Sequence, residues 1–135
     1  MEELVGDLAA GKLGEIELPS GEYDVAYARF VLHAMTLDEE EAFHAATAGL
    51  LRPGGRLFVE ARSIHDPLAR KGEVLSPTER IHGHYRRFMD ADELAVRVTG
   101  AGFEIESMVE SDGLAVFGDD DPVVVRLVAR IPEAM

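Results

Sequence analysis

Residues Tyr23 to Leu32 read YDVAYARFVL, an almost unbroken run of apolar, β-branched and aromatic side chains. Such a run, entered through the turn-like Pro19-Ser20-Gly21, predicts a strand buried on both faces of a parallel sheet. Just after it, Thr36-Leu37-Asp38-Glu39 is a T-x-x-E capping box, and Phe43, Ala46 and Leu50 follow at helical spacing. A helix from about Leu37 to Leu51 is expected there. Leu51-Arg52-Pro53-Gly54-Gly55 stops it, because proline cannot continue the hydrogen-bond ladder and glycine permits a sharp reversal. Arg56 to Ala61, RLFVEA, then predicts a second buried strand.

Further along, Ser63 to Arg87 has no clean period, carries two Pro and two Gly, and holds three of the five His. It reads as a long functional loop or a partly helical insertion. Asp90-Ala91-Asp92-Glu93 caps another helix, with Leu94, Val98 and Ala101 on one face and Gly100 and Gly102 closing it. Phe103 to Val109 and Val123 to Ile131 predict two strands, and the connection Glu110 to Pro122 allows them to form an antiparallel pair. The order strand, helix, strand, insertion, helix, strand, strand describes one α/β domain with a parallel part and an antiparallel edge.

A chain of 135 residues, 47% hydrophobic, is long enough for one real core. Its 26 acidic against 13 basic residues give a net charge of -13, which excludes a broad phosphate-binding surface and so nucleic acid as a partner. No window reaches the roughly 18 apolar residues of a membrane span, and the opening MEELVGDLAAGK lacks the basic start and apolar run of a signal peptide. A soluble, cytoplasmic protein is expected. The absence of Cys removes disulfides, thiolate metal sites and Cys nucleophiles.

Several words along the chain, taken in order, resemble class I S-adenosylmethionine-dependent methyltransferases. Gly6-Asp7-Leu8 looks like the acidic turn after that family's third strand, and Tyr23-Asp24-Val25 through Phe30 looks like its fourth. Leu51-Arg52-Pro53-Gly54-Gly55-Arg56 is similar to the turn before its fifth strand, and Gly102-Phe103 to the opening of its sixth. Over about Asp7 to Arg130, the words Arg29-Phe30-Val31-Leu32-His33-Ala34, Glu60-Ala61-Arg62-Ser63, His65-Asp66, His84-Tyr85-Arg86-Arg87-Phe88, Gly113-Leu114-Ala115 and Asp121-Pro122-Val123-Val124-Val125-Arg126 resemble a narrower group. That group comprises bacterial methyltransferases that tailor polysaccharides or small molecules.

The resemblance implies the C-terminal half of that fold, a partial Rossmann-like sheet. In the family order 3-2-1-4-5-7-6, this chain would hold a stub of strand 3 and then strands 4, 5, 7 and 6. The N-terminal unit is missing. No glycine-rich G-x-G-x-x-G turn, where backbone N–H groups and a helix N-terminus receive the cofactor, occurs in the sequence. Without its usual neighbour, the strand at 23–32 would be an open apolar edge, a template for pairing. Burying a few such side chains contributes roughly 1.5 to 3 kcal/mol each, a sizeable share of a domain's ~5 to 15 kcal/mol. Either a homodimer or complementing chain joins there, or residues 1 to 18 cover the edge.

The resemblance also distributes roles. S-adenosyl-L-methionine is the implied cofactor, with Asp7 and Leu8 at the adenine and Arg29 and Phe30 facing its methionine portion. His33, three residues beyond, and His65 are the candidate bases for a hydroxyl acceptor. Arg62, Asp66, His84, Tyr85, Arg86 and Arg87 would hold a small-molecule or saccharide acceptor under the 63–87 segment, the arginines gripping an anionic group. Each has a plainer reading: a local salt bridge, a structural His, a turn Asp. The i, i+2 pair His82 and His84 is a weak metal signal and no metal is expected, and the run Asp119-Asp120-Asp121 reads as a solvated loop. Two functions stand against each other at this point, methyl transfer that needs the N-terminal half, and an inactive methyltransferase-like module that self-associates or binds a partner.

Overall fold

The computed structural model describes Glu3–Leu4 and residues 21–133. Its main sheet contains β1 (Glu3–Leu4), β2 (Tyr23–Arg29), β3 (Leu51–Arg62), β7 (Glu104–Ser111) and β8 (Val124–Arg130), in the spatial order β1-β2-β3-β8-β7. β2 and β3 are parallel and are joined by α1 (Leu37–Leu50); β8 and β7 are antiparallel to β3 and to each other. The 4-5-7-6 order implied by the resemblance is therefore present as β2-β3-β8-β7. A second sheet of β4 (Glu73–Val74), β5 (Glu79–His82) and β6 (His84–Arg87) precedes α2 (Ala91–Gly100).

The helices start where the sequence caps them. Thr36 Oγ1 accepts from Glu39 N at 3.2 Å while Glu39 Oε1 accepts from Thr36 N at 2.9 Å, and Asp90 Oδ1 accepts from Glu93 N at 3.0 Å. Both helices pack on one face of the sheet, burying Phe43, Leu50, Leu94 and Val98 against Ala26, Ala28, Leu57, Val59, Leu127 and Ala129.

Three expectations change. β2 is buried on one face only: Tyr27 is 40% exposed and stacks on Phe58 of β3, ring centroids 5.1 Å apart, on the face away from the helices. The strand also ends at Arg29, because Phe30 adopts φ +53° and a 3-10 turn follows at Leu32–Ala34. β3 begins at Leu51, directly after α1. Leu51 pairs with Tyr23 and regular register resumes at Val25 with Arg56, so Pro53-Gly54-Gly55 forms a bulge inside the strand. Gly54 has φ +81°, and a Cβ on Gly55 would lie 2.8 Å from the Arg52 carbonyl oxygen, so glycine is required twice.

Residues 63–87 contain one short helical turn and, beyond what the sequence suggested, a small sheet. A 3-10 turn at Pro67–Arg70, N-capped by Asp66, leads into the three-stranded antiparallel sheet, whose strands of two to four residues are too short to show a period. The edge of β2 is met by the chain's own start: Glu3 and Leu4 pair in parallel with Val25 and Ala26, in the place the family gives to its first strand. Among the described residues no helix is long and apolar enough to cross a membrane.

One buried cluster ties these layers together. Glu40 of α1 is fully buried. Its carboxylate accepts from Arg87 of β6 at 2.5 Å, from Arg97 of α2 at 2.7 and 3.2 Å, and contacts His44 Nε2 at 2.8 Å. Arg87 also donates to the carbonyls of Met35 at 2.9 Å and Leu32 at 3.4 Å. Burial alone would raise the Glu40 pKa, but hydrogen bonds from His44 and Arg97 and the charge of Arg87 outweigh it and hold it at about 2, below the ordinary 4.5. Because the folded value is the lower one, the stabilisation is complete above about pH 4.5 and is lost as pH falls through about 2. The shift corresponds to roughly 3 kcal/mol. Glu40→Gln, which leaves two buried guanidinium groups without their counter-ion, is expected to cost about 3 to 5 kcal/mol. Urea denaturation at neutral pH and near pH ~3 checks both: the wild type loses stability on acidification, and the variant is weaker at neutral pH and nearly insensitive to this step.

Candidate functional site

The parallel strands β2 and β3 both end at the same edge of the sheet, beside the start of β8, the place where open α/β sheets bind ligands. A cavity of about 500 Å³ opens there. Its wall is built from Arg29 and Phe30 at the end of β2, His33 on the 3-10 turn, Arg62 at the end of β3, Arg86, Arg87 and Phe88 from the insertion, and Ala115–Phe117, Asp120 and Pro122 from the β7–β8 connection.

Each basic side chain reaches the cavity from a different anchor. Arg29 Nε donates to Glu60 Oε1 at 2.9 Å, and its guanidinium carbon lies 5.6 Å from the Phe30 ring centroid. Glu60, opposite Arg29 in the β2–β3 register and nearly buried, also accepts from Arg126. Phe30 is the only described non-glycine residue with positive φ. Its backbone N–H is held by the Glu60 carbonyl at 2.7 Å, so the strained conformation is fixed by the neighbouring strand. Arg62 donates to Asp66 at 3.0 Å and to Asp120 at 2.5 Å.

His33 is half-buried, and its pKa is lowered from 6.5. Burial is the largest cause, followed by the positive charges of Arg86, His84 and Arg62; a hydrogen bond with the Phe30 backbone works the other way. At neutral pH the ring is an uncharged imidazole, able to accept a proton.

Of the residues singled out in the sequence, Arg29, Phe30, His33, Arg62, Arg86 and Arg87 come together on this cavity, Arg87 being almost wholly engaged by Glu40 and the two carbonyls. The others lie outside the lining. The His65 side chain is exposed. Buried Asp66 caps Leu68 N at 3.2 Å, accepts from Val123 N at 2.8 Å and holds Arg62. Exposed His84 accepts from Arg86 Nε at 3.1 Å. Tyr85 donates to Glu79 at 2.7 Å; burial and that carboxylate push its pKa up to about 12. Asp7 and Leu8 lie outside the described residues. The Asp119-Asp120-Asp121 run does more than sit in solvent, since Asp120 pins Arg62 and Asp121 accepts from Gly113 N at 2.7 Å.

A model of the methyltransferase domain matches residues 6–108. The chain belongs to the methyltransferase-domain family. Solved structures carry the same fold at low identity. A methyltransferase from Methanosarcina mazei described as S-adenosylmethionine-dependent shares 13% identity over 96% of this chain, with TM-score 0.68. The 1,6-didemethyltoxoflavin N1-methyltransferase of Burkholderia thailandensis, with bound 1,6-didemethyltoxoflavin and S-adenosylhomocysteine, shares 18% over 90%, TM-score 0.65. The glycopeptide N-methyltransferase MtfA in complex with S-adenosyl-L-methionine shares 16% over 94%, TM-score 0.63. The chain spans 66%, 48% and 63% of those three, less than two thirds of each. A comparison with curated proteins finds no match.

The imidazole of His33 is expected to titrate below 6.5 in a proton NMR pH series, and Arg86→Gln should move its midpoint upward by removing the positive charge that depresses it most. A midpoint at or above 6.5, or one indifferent to Arg86, would contradict the placement of His33 within this cationic wall.

Proposed function

We propose that this chain forms the acceptor-side half of an S-adenosylmethionine-dependent methyltransferase acting on a small-molecule or saccharide acceptor. Its activity needs the glycine-rich adenosine-binding turn of an N-terminal half, in the same or another chain. The observation that supports this most is the cavity where β2 and β3 end, with an uncharged His33 beside Arg29 and Phe30. Fold alone would not carry it, because one fold hosts many reactions. The names of two neighbours, methyltransferases of a toxoflavin precursor and of a glycopeptide, fit a modest-sized acceptor.

The donor set fits one end of the cofactor. The exposed Arg29 guanidinium is available to a carboxylate, and the Phe30 ring offers an apolar face beside it. Donors for the adenosine end are absent from this wall. S-adenosylmethionine, when bound, supplies an electrophilic methyl group on a sulfonium, so no protein nucleophile is required. The residues of this chain then have two tasks. The cavity aligns the acceptor and excludes water, which can lower a barrier by several kcal/mol, up to ~7 to 11 in the best-oriented cases. His33 takes the proton of a hydroxyl acceptor at its free ring nitrogen, whereas a neutral amine would need no base before transfer. Of the two histidines with that assignment, His33 lines the cavity and His65 faces solvent. Arg62 and Arg86 face the acceptor directly; Asp66, His84, Tyr85 and Arg87 set the conformation of the wall they come from.

Calorimetric titration with S-adenosylhomocysteine tests this. Weak saturable binding is expected of this half, with a Kd of about 1 mM, a free energy of only ~4 kcal/mol, and Phe30→Ala should abolish it. Micromolar binding, which would mean that no glycine-rich turn is needed, or binding indifferent to Phe30→Ala, would contradict the reading.

A further inference from the structure

Resting on the methyl-transfer reading, we infer that the acceptor is a small organic acid with an apolar, ring-sized body. Its anionic group lies against the Arg86 guanidinium and its body against the wall formed by Phe30, Val116 and Phe117. The basic groups of the cavity differ in what neutralises them. Arg29 shares Glu60 with Arg126. Arg62 faces two carboxylates, Asp66 and Asp120. Arg87 is held by Glu40 and two backbone carbonyls. Arg86 alone among them has no carboxylate partner among the described residues; its one side-chain contact is with the exposed His84 ring. A half-buried guanidinium without a counter-ion is costly unless an anion supplies the missing charge.

The opposite part of the wall is apolar and held ready. Val116 is 60% and Phe117 85% exposed, adjacent at the cavity mouth. Their loop is fixed: Phe117 and Asp120 exchange backbone hydrogen bonds of 2.8 and 3.0 Å, Asp120 is tied to Arg62, and Asp121 to Gly113 N. A fixed loop presenting an aromatic ring to solvent gains from a ligand that covers the ring. His33 stands in the same wall without a charge of its own, so it does not compete with Arg86 for the anion. An acid with a flat apolar body satisfies both halves of the wall, whereas a neutral sugar leaves Arg86 unpaired and Phe117 wet.

The test compares 1-naphthoate with its uncharged counterpart 1-naphthamide by calorimetry, with and without saturating S-adenosylhomocysteine. Naphthoate is expected to bind about tenfold more tightly, and to do so with S-adenosylhomocysteine present. Arg86→Gln should remove the difference and Arg86→Lys retain part of it, while Arg70→Gln, at an exposed position away from the cavity, leaves it intact. Equal affinities, or a preference that survives in Arg86→Gln, would overturn the inference. Displacement of naphthoate by S-adenosylhomocysteine would overturn it too, by assigning Arg86 to the cofactor's carboxylate. Arg86-dependent naphthoate binding with no S-adenosylhomocysteine binding at all would instead sink the methyl-transfer reading and leave the acid site standing.

Discussion

The fully buried carboxylate of Glu40 is the constraint on which the rest of the site depends. It draws Arg87 from the insertion, Arg97 from α2 and His44 from its own helix onto one point. Arg87 then reaches past it to the carbonyls of Leu32 and Met35, which flank His33 on the 3-10 turn. Arg86, the next residue, is thereby held over the end of the sheet, across from His33. A single ion cluster thus bears on both His33 and Arg86 in the cavity wall. Its strength comes from burial: removing one partner of such a cluster leaves a charge that water cannot reach.

The exposed ion pairs along the sheet belong to a different energetic class. Arg56 with Glu106 and Arg52 with Asp24 are substantially exposed, and solvent screening leaves pairs of that kind little net stabilisation. The shared Glu60 is intermediate, nearly buried between two exposed arginines. Its backbone matters as much as its carboxylate, because its carbonyl fixes Phe30 in the left-handed conformation that ends β2 and turns the chain toward His33. The cavity therefore exists because a parallel strand stops one residue after Arg29 and its neighbour holds the stop in place.

Much of the sheet and both helices could be read from the residues. The capping box at Thr36, the Asp90 cap and the apolar runs of β2, β3 and β8 are local signals, and local signals survive folding. The strand order followed from the family words rather than from periodicity. What stayed hidden was tertiary. YDVAYAR looked buried on both sides because Tyr27 is aromatic, yet it stacks on Phe58 at a half-exposed face. The insertion's strands are shorter than any period. Glu40 is one of several acidic residues at the start of α1, and nothing nearby in sequence announces that its arginine partners are 47 and 57 residues away. For the site, the basic residues of the wall and Phe88 were visible in motif words, and Asp120 read only as part of a solvated run; Val116 and Phe117 were not visible, because they reach the cavity only after the β7–β8 connection folds over the sheet edge.

A methyl-transfer site at this edge is tested most directly by amide chemical-shift mapping of the isotopically labelled chain during titration with S-adenosylhomocysteine. The largest changes are expected at Arg29 to His33 and at Arg62, where β2 and β3 end. Changes centred instead on Tyr27, Phe58 and Val128, or spread without focus over the surface, would contradict it.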